Sequence, residues 1–256
     1  MKKSPIEILG EPLSYYGLED LAAAKAAAFL KKTKKRINAS LLKQGVYLLD
    51  PETIYIGPKV RIGEGTVIYP NTHIYGETSI GKGNVIGPNC YLEECRIGDG
   101  NKIQLSHIVD TEIGNATQLG PYFRSRGGAK IEDGVKIGNF NEIKNAAIGK
   151  ESRMAHLSYL GDVDVGEDVN VGAGAITANY DGASKFHSSI GDRAFIGSGS
   201  TIVSPVSIGN DAFLAAGSTI TEDVPPHAMA IAREHQTNKE GYGDLLRQKA
   251  KDKKGK

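Results

Sequence analysis

The sequence predicts an all-β solenoid of hexapeptide repeats, with a short N-terminal helix and a C-terminal arm. Aliphatic residues recur at every sixth position, and neither a helix of 3.6 residues per turn nor an alternating strand generates that spacing. The repeating positions are Ile56, Ile62, Ile68, Ile74, Ile80, Ile86, Leu92, Ile190, Ile196, Ile202, Ile208, Leu214 and Ile220. A glycine follows most of them, as expected at corners whose backbone conformations are costly for residues with a Cβ.

Composition supports a core of aliphatic side chains in one elongated domain. Of the 256 residues, 32 are glycine, none is tryptophan and 7% are aromatic. The formal net charge of +1, with both signs interleaved, excludes the one-signed field that is typical of nucleic-acid-binding proteins. Cys90 and Cys95 are the only cysteines and lack the spacing of zinc or redox pairs, so we expect both to be reduced.

Residues 1–50 are predicted to form an extended lead-in and then a helical segment. Residues 18–44 have a helical composition, and Leu21, Phe29 and Leu41 are among those that could line one apolar face. No region of the chain contains an apolar run long enough for an export signal or a membrane span. We therefore expect a cytoplasmic protein that binds neither membranes nor nucleic acid.

The β-helix domain is predicted over residues 51–224. Its largest interruption is the loop 177–189, where turn-forming residues replace the hexad aliphatic and side chains can project from rigid coils. Two prolines then end the solenoid, and residues 225–256 would form an irregular arm followed by a basic tail. The tail, residues 249–256, is rich in lysine and is expected to be disordered.

Two cations stand one full coil apart in a segment that is rich in polar side chains. Arg126 and Lys144 are separated by 18 residues, so they should lie side by side on adjacent coils. An arginine fork beside a lysine point charge suits a phosphate group. The alternative interpretation is a pair of surface cations that bind no ligand.

His156 follows Lys144 by two hexads and is the candidate general base. An imidazole can take a proton near neutral pH from an amine or hydroxyl nucleophile, although a single histidine can equally be structural. The six histidines of the chain show no close pair at the spacing of zinc ligands, so the sequence predicts no metal site.

Five blocks of sequence carry a resemblance to a known enzyme family. The blocks are RSR at 124–126, KIGNFNEIK at 136–144, HLSYLGD at 156–162, VGAGAITANYDGASKF at 171–186 and QTNKEG at 236–241. Together they are similar to the acetyltransferase (C-terminal) half of the bacterial bifunctional N-acetylglucosamine-1-phosphate uridyltransferase/glucosamine-1-phosphate acetyltransferases. The similarity extends from about residue 18 to residue 242.

The resemblance implies a homotrimer of left-handed parallel β-helices with active sites between neighbouring subunits. Acetyl-CoA would lie along the prism as co-substrate and acetylate the 2-amino group of glucosamine 1-phosphate, with no metal. The product, N-acetylglucosamine 1-phosphate, would serve the synthesis of UDP-N-acetylglucosamine and peptidoglycan precursors. His156 would remove a proton from the amine as its nitrogen attacks the thioester carbonyl.

The resemblance also assigns two sets of binding residues by matching positions. The sugar phosphate would be held by Arg126, Lys144, Tyr159, Asn170 and Lys185. Acetyl-CoA would be lined by Ala173, Asn179, Tyr180, Ser198, Ala216 and Arg233. We expect Lys185, on the projecting loop, to reach a neighbour's groove rather than its own coil, so that His156 and Lys185 of one site come from different chains.

The chain departs from the family pattern in two ways. Gly127 replaces the proline that commonly follows the second arginine, which would loosen the phosphate loop without removing its charge. No counterpart of the uridyltransferase domain precedes the first coil, so we expect no UTP-dependent chemistry. Two alternatives stay open: a related acyltransferase acting on another amino or nucleotide sugar, and a non-catalytic trimeric scaffold.

Overall fold

The computed structural model describes residues 11–18 and 21–254 and confirms the predicted parallel β-helix. A 3₁₀ helix, Glu11–Tyr16, precedes helix α1, Ala23–Lys43, and helix α2, Tyr242–Lys254, ends the described chain. The strands between the two α-helices are β1 (Tyr47–Leu48), β2 (Tyr55–Ile56), β3 (Arg61–Ile62), β4 (Val67–Ile68), β5 (His73–Tyr75), β6 (Ser79–Ile80), β7 (Val85–Ile86), β8 (Tyr91–Glu93), β9 (Arg96–Ile97), β10 (Lys102–Ile103), β11 (His107–Val109), β12 (Thr111–Ile113), β13 (Gln118–Leu119), β14 (Arg124–Arg126), β15 (Ala129–Ile131), β16 (Lys136–Asn139), β17 (Glu142–Ile148), β18 (Arg153–His156), β19 (Tyr159–Val165), β20 (Asn170–Val171), β21 (Ile176–Ala178), β22 (Ser188–Ile190), β23 (Phe195–Ile196), β24 (Thr201–Val203), β25 (Ser207–Ile208), β26 (Phe213–Leu214), β27 (Thr219–Ile220) and β28 (Met229–Ala230).

The strands form three faces of a triangular prism, each held by parallel ladders. Face 1 consists of β1, β4, β7, β10, β13, β16, β18, β20, β23, β26 and β28. Face 2 consists of β2, β5, β8, β11, β14, β21, β24 and β27 with the first halves of β17 and β19. Face 3 consists of β3, β6, β9, β12, β15, β22 and β25 with the second halves of those two strands. The strands β17 and β19 therefore bend around the corner between faces 2 and 3.

The hexad aliphatic residues form the core, as their period predicts. Ile56, Ile74 and Leu92 pair in register on successive coils and are fully buried. Burial of one such side chain contributes about 1.5–3 kcal/mol, so the prism is stabilised by the whole ladder rather than by one contact. Cys90 and Cys95 lie in this core as free thiols, which confirms the prediction, and burial raises the pKa of Cys95 to about 12.

Helix α1 covers the N-terminal end of the prism with a mixed polar and apolar face, and the predicted apolar face is only partly correct, because Ile37 and Leu41 pack against the core. Leu21 and Phe29 are exposed, whereas Leu41 is buried. The buried positions include Lys34, whose ammonium group donates a hydrogen bond to the carbonyl of Glu52. The open end of a solenoid presents unpaired backbone carbonyls, and donors from the helix satisfy them.

The solenoid extends beyond both predicted boundaries. Strand β1 pairs with β4 and so begins the first coil before residue 51, while β28 pairs with β26 inside the predicted arm. The basic tail also differs from the prediction, because α2 continues to Lys254 with exposed side chains. The predicted lead-in over residues 1–10 and the last two residues of the tail lie outside the described residues. Among the described residues, neither α-helix has the length and hydropathy of a transmembrane segment.

The predicted loop lies between β21 and β22 and forms a tight hairpin. Tyr180 and Lys185 make an antiparallel bridge across it. The carboxylate of Asp181 accepts hydrogen bonds from the amides of Ala183 and Ser184, at 2.8 and 2.7 Å. An aspartate that binds the amides two and three residues ahead is a common way to fix a turn. The position of Lys185 is therefore set by the backbone of the hairpin.

Candidate active site

A row of three residues near the corner between faces 2 and 3 carries two of the cations. Arg126, Lys144 and Gly161 pair in register on β14, β17 and β19, which confirms the predicted stacking of the first two. The guanidinium group of Arg126 lies 2.7 Å from the carboxylate of Glu142. Gly161 has no side chain, and a Cβ there would collide with the phenol of Tyr159, which lies over it.

Lys185 adds a third cation to this row. Its side chain lies within hydrogen-bonding reach of Lys144, and this contact together with the charge of Lys185 lowers the pKa of Lys144. Partial desolvation and the charge of Arg126 lower that pKa further. The expectation that Lys185 avoids its own coil is wrong within one chain, because the hairpin turns it back. Three mutually repelling cations favour a multiply charged anion. We call Arg126, Lys144 and Lys185 the cation cluster.

A buried carboxylate lies next to the cation cluster, and it was not among the predicted site residues. Asp162 is 8% exposed and accepts hydrogen bonds from the side-chain amides of Asn145, at 2.6 Å, and Asn179. Burial opposes ionisation of Asp162, but the two hydrogen bonds and the charges of Lys185 and Lys144 outweigh burial and lower its pKa. The sequence signal is weak, since an aspartate at a corner is also typical of an ordinary turn.

His156 lies at the other edge of face 2, where β18 ends at the corner between faces 1 and 2. Its side chain is exposed, and Nδ1 lies 3.0 Å from Oδ1 of Asn139 on the preceding coil. An amide oxygen accepts, so this contact places the ring hydrogen on Nδ1 and leaves the lone pair on Nε2. The arrangement allows His156 to take a proton from a substrate.

Small residues line the corner between faces 1 and 2 on the coils that follow His156. This strip, here called the small-residue strip, consists of Ala173, Ser198 and Ala216, and all three residues are exposed. Backbone hydrogen bonds of 2.8 Å stack its coils, as between the amide of Gly217 and the carbonyl of Ser198. Arg233 is exposed and lies beside Gly217 at the end of the strip. An extended ligand could approach the backbone closely along this path.

The structure does not bring all predicted ligands together in one chain. Asn170 lies on face 1, in register with Arg153, whereas the cation cluster lies on face 2. Asn179 is buried against Asp162, and Tyr180 follows it into the hairpin, so both lie across face 2 from the small-residue strip. Each of the two predicted ligand sets is therefore divided between separate surfaces of the chain.

The departure at Gly127 has a structural counterpart. Gly127 and Gly128 have φ angles of 66° and 71° at the corner that follows Arg126. Proline is fixed near a φ of about −65° and cannot adopt this conformation. The corner observed here therefore accepts glycine but not proline at position 127, and the charge of Arg126 is still present.

An exposed apolar ridge runs along the corner between faces 1 and 2, beside His156. Tyr122, Phe140 and Leu157 lie on successive coils, and each is more than half exposed. The rings of Tyr122 and Phe140 stack with centroids 5.1 Å apart. All three residues have positive φ, which is costly for large side chains and is common at functional surfaces. We call these three residues the apolar ridge; an exposed apolar patch of this kind indicates a contact surface.

Two other histidines are held apart on separate faces. His187 lies 3.0 Å from Asp164 on face 3, and His73 contacts the hydroxyl of Tyr75 on face 2. In the parts of the chain that the structure describes, no three His, Cys, Asp or Glu side chains form a group that could hold a metal ion.

The amino-acid sequence is similar to a transferase family model and to known bacterial proteins. The family model described as bacterial transferase hexapeptide (six repeats) matches residues 59–94 and 187–222. The chain is 47% identical over 227 residues to the "Bifunctional protein GlmU" of Carboxydothermus hydrogenoformans, over 89% of this chain and 50% of that protein. This chain is a GlmU homologue. The protein of the same name from Caldicellulosiruptor saccharolyticus is 50% identical over 219 residues, 86% of this chain and 47% of that protein.

The resemblance to GlmU that the motifs predict is thus confirmed. The chain spans about half the length of the curated GlmU relatives that it matches. Among solved structures, it is similar to the UDP-N-acetylglucosamine O-acyltransferase of Moraxella catarrhalis, with 22% identity over 74% of this chain and 77% of that chain and a TM-score of 0.48.

Proposed function

We propose that this GlmU homologue transfers the acetyl group of acetyl-CoA to the 2-amino group of glucosamine 1-phosphate. The cation cluster carries the proposal. An arginine fork and two ammonium groups suit a phosphate dianion, whereas a sugar without a phosphate brings no anion to offset the repulsion between these cations. The family resemblance indicates which sugar carries that phosphate and which acyl donor is used.

His156 is the proposed base. The 2-amino nitrogen attacks the thioester carbonyl carbon, the new C–N bond forms, and the C–S bond breaks with its electron pair on sulfur. Nε2 of His156 takes the proton that the amine loses, and the protonated ring can return it to the leaving thiolate. The contact with Asn139 supports this role, because it keeps Nε2 as the acceptor.

The small-residue strip is the proposed path of acetyl-CoA. Side chains no larger than that of serine leave room for a pantetheine arm against the backbone, and the strip begins on the coil that follows His156. Arg233 at its end would pair with a phosphate of the nucleotide portion. In this arrangement the thioester lies near the proposed base.

We propose that the complete site forms between subunits of a homotrimer. His156 and the small-residue strip occupy one edge of face 2, while the cation cluster and Tyr180 occupy the other. Two different surfaces that meet between copies form a heterologous contact, and such contacts close into rings when the rotation between copies permits. The apolar ridge beside His156 offers the apolar surface that such a contact requires.

Thiol release from acetyl-CoA with a panel of amino sugars tests the proposal. We expect release with glucosamine 1-phosphate and a kcat/KM about 100-fold lower with unphosphorylated glucosamine, which lacks the charge-assisted contacts. Equal efficiency with both sugars would show that the phosphate site is wrong. Thiol release only with another amino or nucleotide sugar would identify that sugar as the acceptor. No thiol release with any sugar of the panel would favour the non-catalytic scaffold.

A further inference from the structure

We propose that Asp162 positions and charge-balances Lys144 and Lys185 for the phosphate of the acceptor, an inference that rests on the proposed function. Asp162 would not touch the substrate. It would favour the charged form of Lys144 and keep it beside Lys185 before the phosphate binds.

The carboxylate of Asp162 joins three consecutive coils at the corner between faces 2 and 3. Oδ1 accepts from Asn145 on the preceding coil at 2.6 Å, and Oδ2 accepts from Asn179 at the base of the hairpin. Asn145 and Asp162 have φ angles of 46° and 49°, a left-handed conformation that asparagine and aspartate tolerate better than most residues. The side chain thus links the coil of Lys144 to the hairpin that carries Lys185.

The negative charge of Asp162 acts on a crowded set of cations. Lys144 is flanked by Lys185 from the hairpin and by Arg126 from the adjacent strand, and both lower its pKa, whereas Asp162 raises it. The nearby carboxylate of Glu142 is already paired with Arg126. The phenol of Tyr159, on the neighbouring strand, is the other titratable group beside this row.

The opposing effects of Lys185 and Asp162 on the pKa of Lys144 predict how phosphate binding depends on pH. Lys144 holds its proton only below its pKa, and Lys185 has already lowered that pKa. Loss of the Asp162 charge would lower it further, so Lys144 would become neutral at a lower pH. Binding of the phosphate would then fail at a lower pH than in the wild type, while proton removal by His156 at the other edge of face 2 would change little.

Asp162→Asn is the first variant, because it keeps the shape and removes the charge. The NH₂ group of the new amide at position 162 would then face the donor amide of Asn145 or Asn179, so one hydrogen bond would be lost. The exchange variant Asp162→Asn with Asn145→Asp restores an acceptor for that amide and returns one carboxylate to the corner. Asp164→Asn is the matched control, since it removes an exposed carboxylate from the same strand that lies on face 3.

The measurement is kcat and KM for glucosamine 1-phosphate between about pH 7 and 9.5, above the second phosphate pKa of about 6. For Asp162→Asn we expect KM to rise about tenfold with kcat within about threefold of wild type, and the alkaline limb of kcat/KM to move to lower pH. The exchange variant should recover most of the lost KM, and Asp164→Asn should match wild type. Wild-type KM and pH profile in Asp162→Asn would overturn the proposal, as would an exchange variant that folds but recovers nothing.

Asn145→Gly keeps the test decisive if Asp162→Asn does not fold. Glycine suits the left-handed backbone at 145, and the change removes only one donor to Asp162. Because Asp162 keeps its charge in this variant, a raised KM with the alkaline limb at its wild-type pH supports the positioning role, and an unchanged KM assigns Asp162 to structure alone.

A titration of the lysine ε-carbons by NMR, with and without inorganic phosphate, separates this inference from the proposed function. A wild type without thiol release would contradict the proposed function. The titration would still report whether Asp162→Asn lowers the pKa of Lys144, and no change there would contradict the role of Asp162.

Discussion

Nδ1 of His156 lies 3.0 Å from Oδ1 of Asn139, and the two residues are in register on adjacent coils of face 1. The stacking of coils therefore supplies the partner that orients the ring. Since each coil is fixed by its parallel ladders, the acceptor is in place before any substrate binds. Two variants therefore test different effects: His156→Ala removes the base, and Asn139→Ala removes only the group that orients it.

His156→Ala is expected to lower kcat about 100-fold or more with little change in KM for glucosamine 1-phosphate. The base acts on the proton that leaves in the transition state, so its removal affects turnover rather than substrate binding. Thiol release measures kcat, and light scattering checks that assembly is kept. Near-normal turnover in a correctly assembled variant would remove His156 from the mechanism.

Asn139→Ala is expected to lower kcat about tenfold, again with KM nearly unchanged. Without the amide acceptor the ring can rotate and place its hydrogen on either nitrogen, so Nε2 is available for only part of the time. Asn139→Asp serves as the comparison, because a carboxylate still accepts from Nδ1 and should preserve more activity than alanine does. If the two variants are equally impaired, the contact with Nδ1 is not what matters.

Arg126→Ala and Lys144→Ala should mainly raise KM for the sugar phosphate, by about tenfold or more, because each removes a charge-assisted contact. The larger effect is expected for Arg126→Ala, since it also leaves the carboxylate of Glu142 unpaired near the phosphate. Lys130→Ala, which removes a lysine paired with Glu132 on face 3, is the control. A fall in kcat at unchanged KM would argue against phosphate binding at this row.

The sequence predicts the fold well because the solenoid repeats one local rule many times. Each inward aliphatic residue at a six-residue interval predicts the same structural unit, so an irregular hexad does not change the predicted fold. Helix α1 has no such repetition. Its buried Lys34 satisfies a carbonyl at the end of the prism, and the pattern of apolar residues cannot reveal that demand.

The sequence predicts those parts of the site whose residues are separated by one full coil. The 18-residue interval between Arg126 and Lys144 gives their register directly. The return of Lys185 to its own coil depends on hairpin geometry, and the importance of Asp162 depends on hydrogen bonds between three coils. Neither leaves a periodic signal in the sequence. The division of ligands between the edges of face 2 likewise emerges only when the prism is built.

Phe140→Asp is expected to weaken assembly and lower activity without unfolding the chain. Phe140 is exposed on the apolar ridge, so a charge there costs little in a single chain but would be buried where a neighbour covers the ridge. Light scattering reports the assembly, and circular dichroism reports the fold. Phe213→Asp is the comparison, because Phe213 is an exposed ring that stacks on Phe195 within face 1, away from the ridge. Unchanged assembly of Phe140→Asp would show that the ridge lies outside the interface.

Mixing two variants tests whether His156 and Lys185 of one site come from different chains, with the sugar phosphate kept below the wild-type KM so that both parent variants are impaired. In this structure Lys185 lies beside Lys144 of its own chain, while His156 lies at the opposite edge of face 2. A neighbour would therefore have to bring its cation cluster to the edge that carries His156. Subunits of His156→Ala and Lys185→Ala that exchange within a trimer would form some interfaces in which both residues are intact.

Partial recovery of thiol release is the expected result of that mixing, to about a third or less of the wild-type activity, because an intact pair forms at only some of the interfaces. Subunit exchange is verified by a size-tagged copy of one variant. His156→Ala mixed with Lys144→Ala gives a second, independent pair, since Lys144 and Lys185 belong to the same cluster and should behave alike. Full activity of a monomer, or no recovery despite proven exchange, would show instead that each chain carries a complete site.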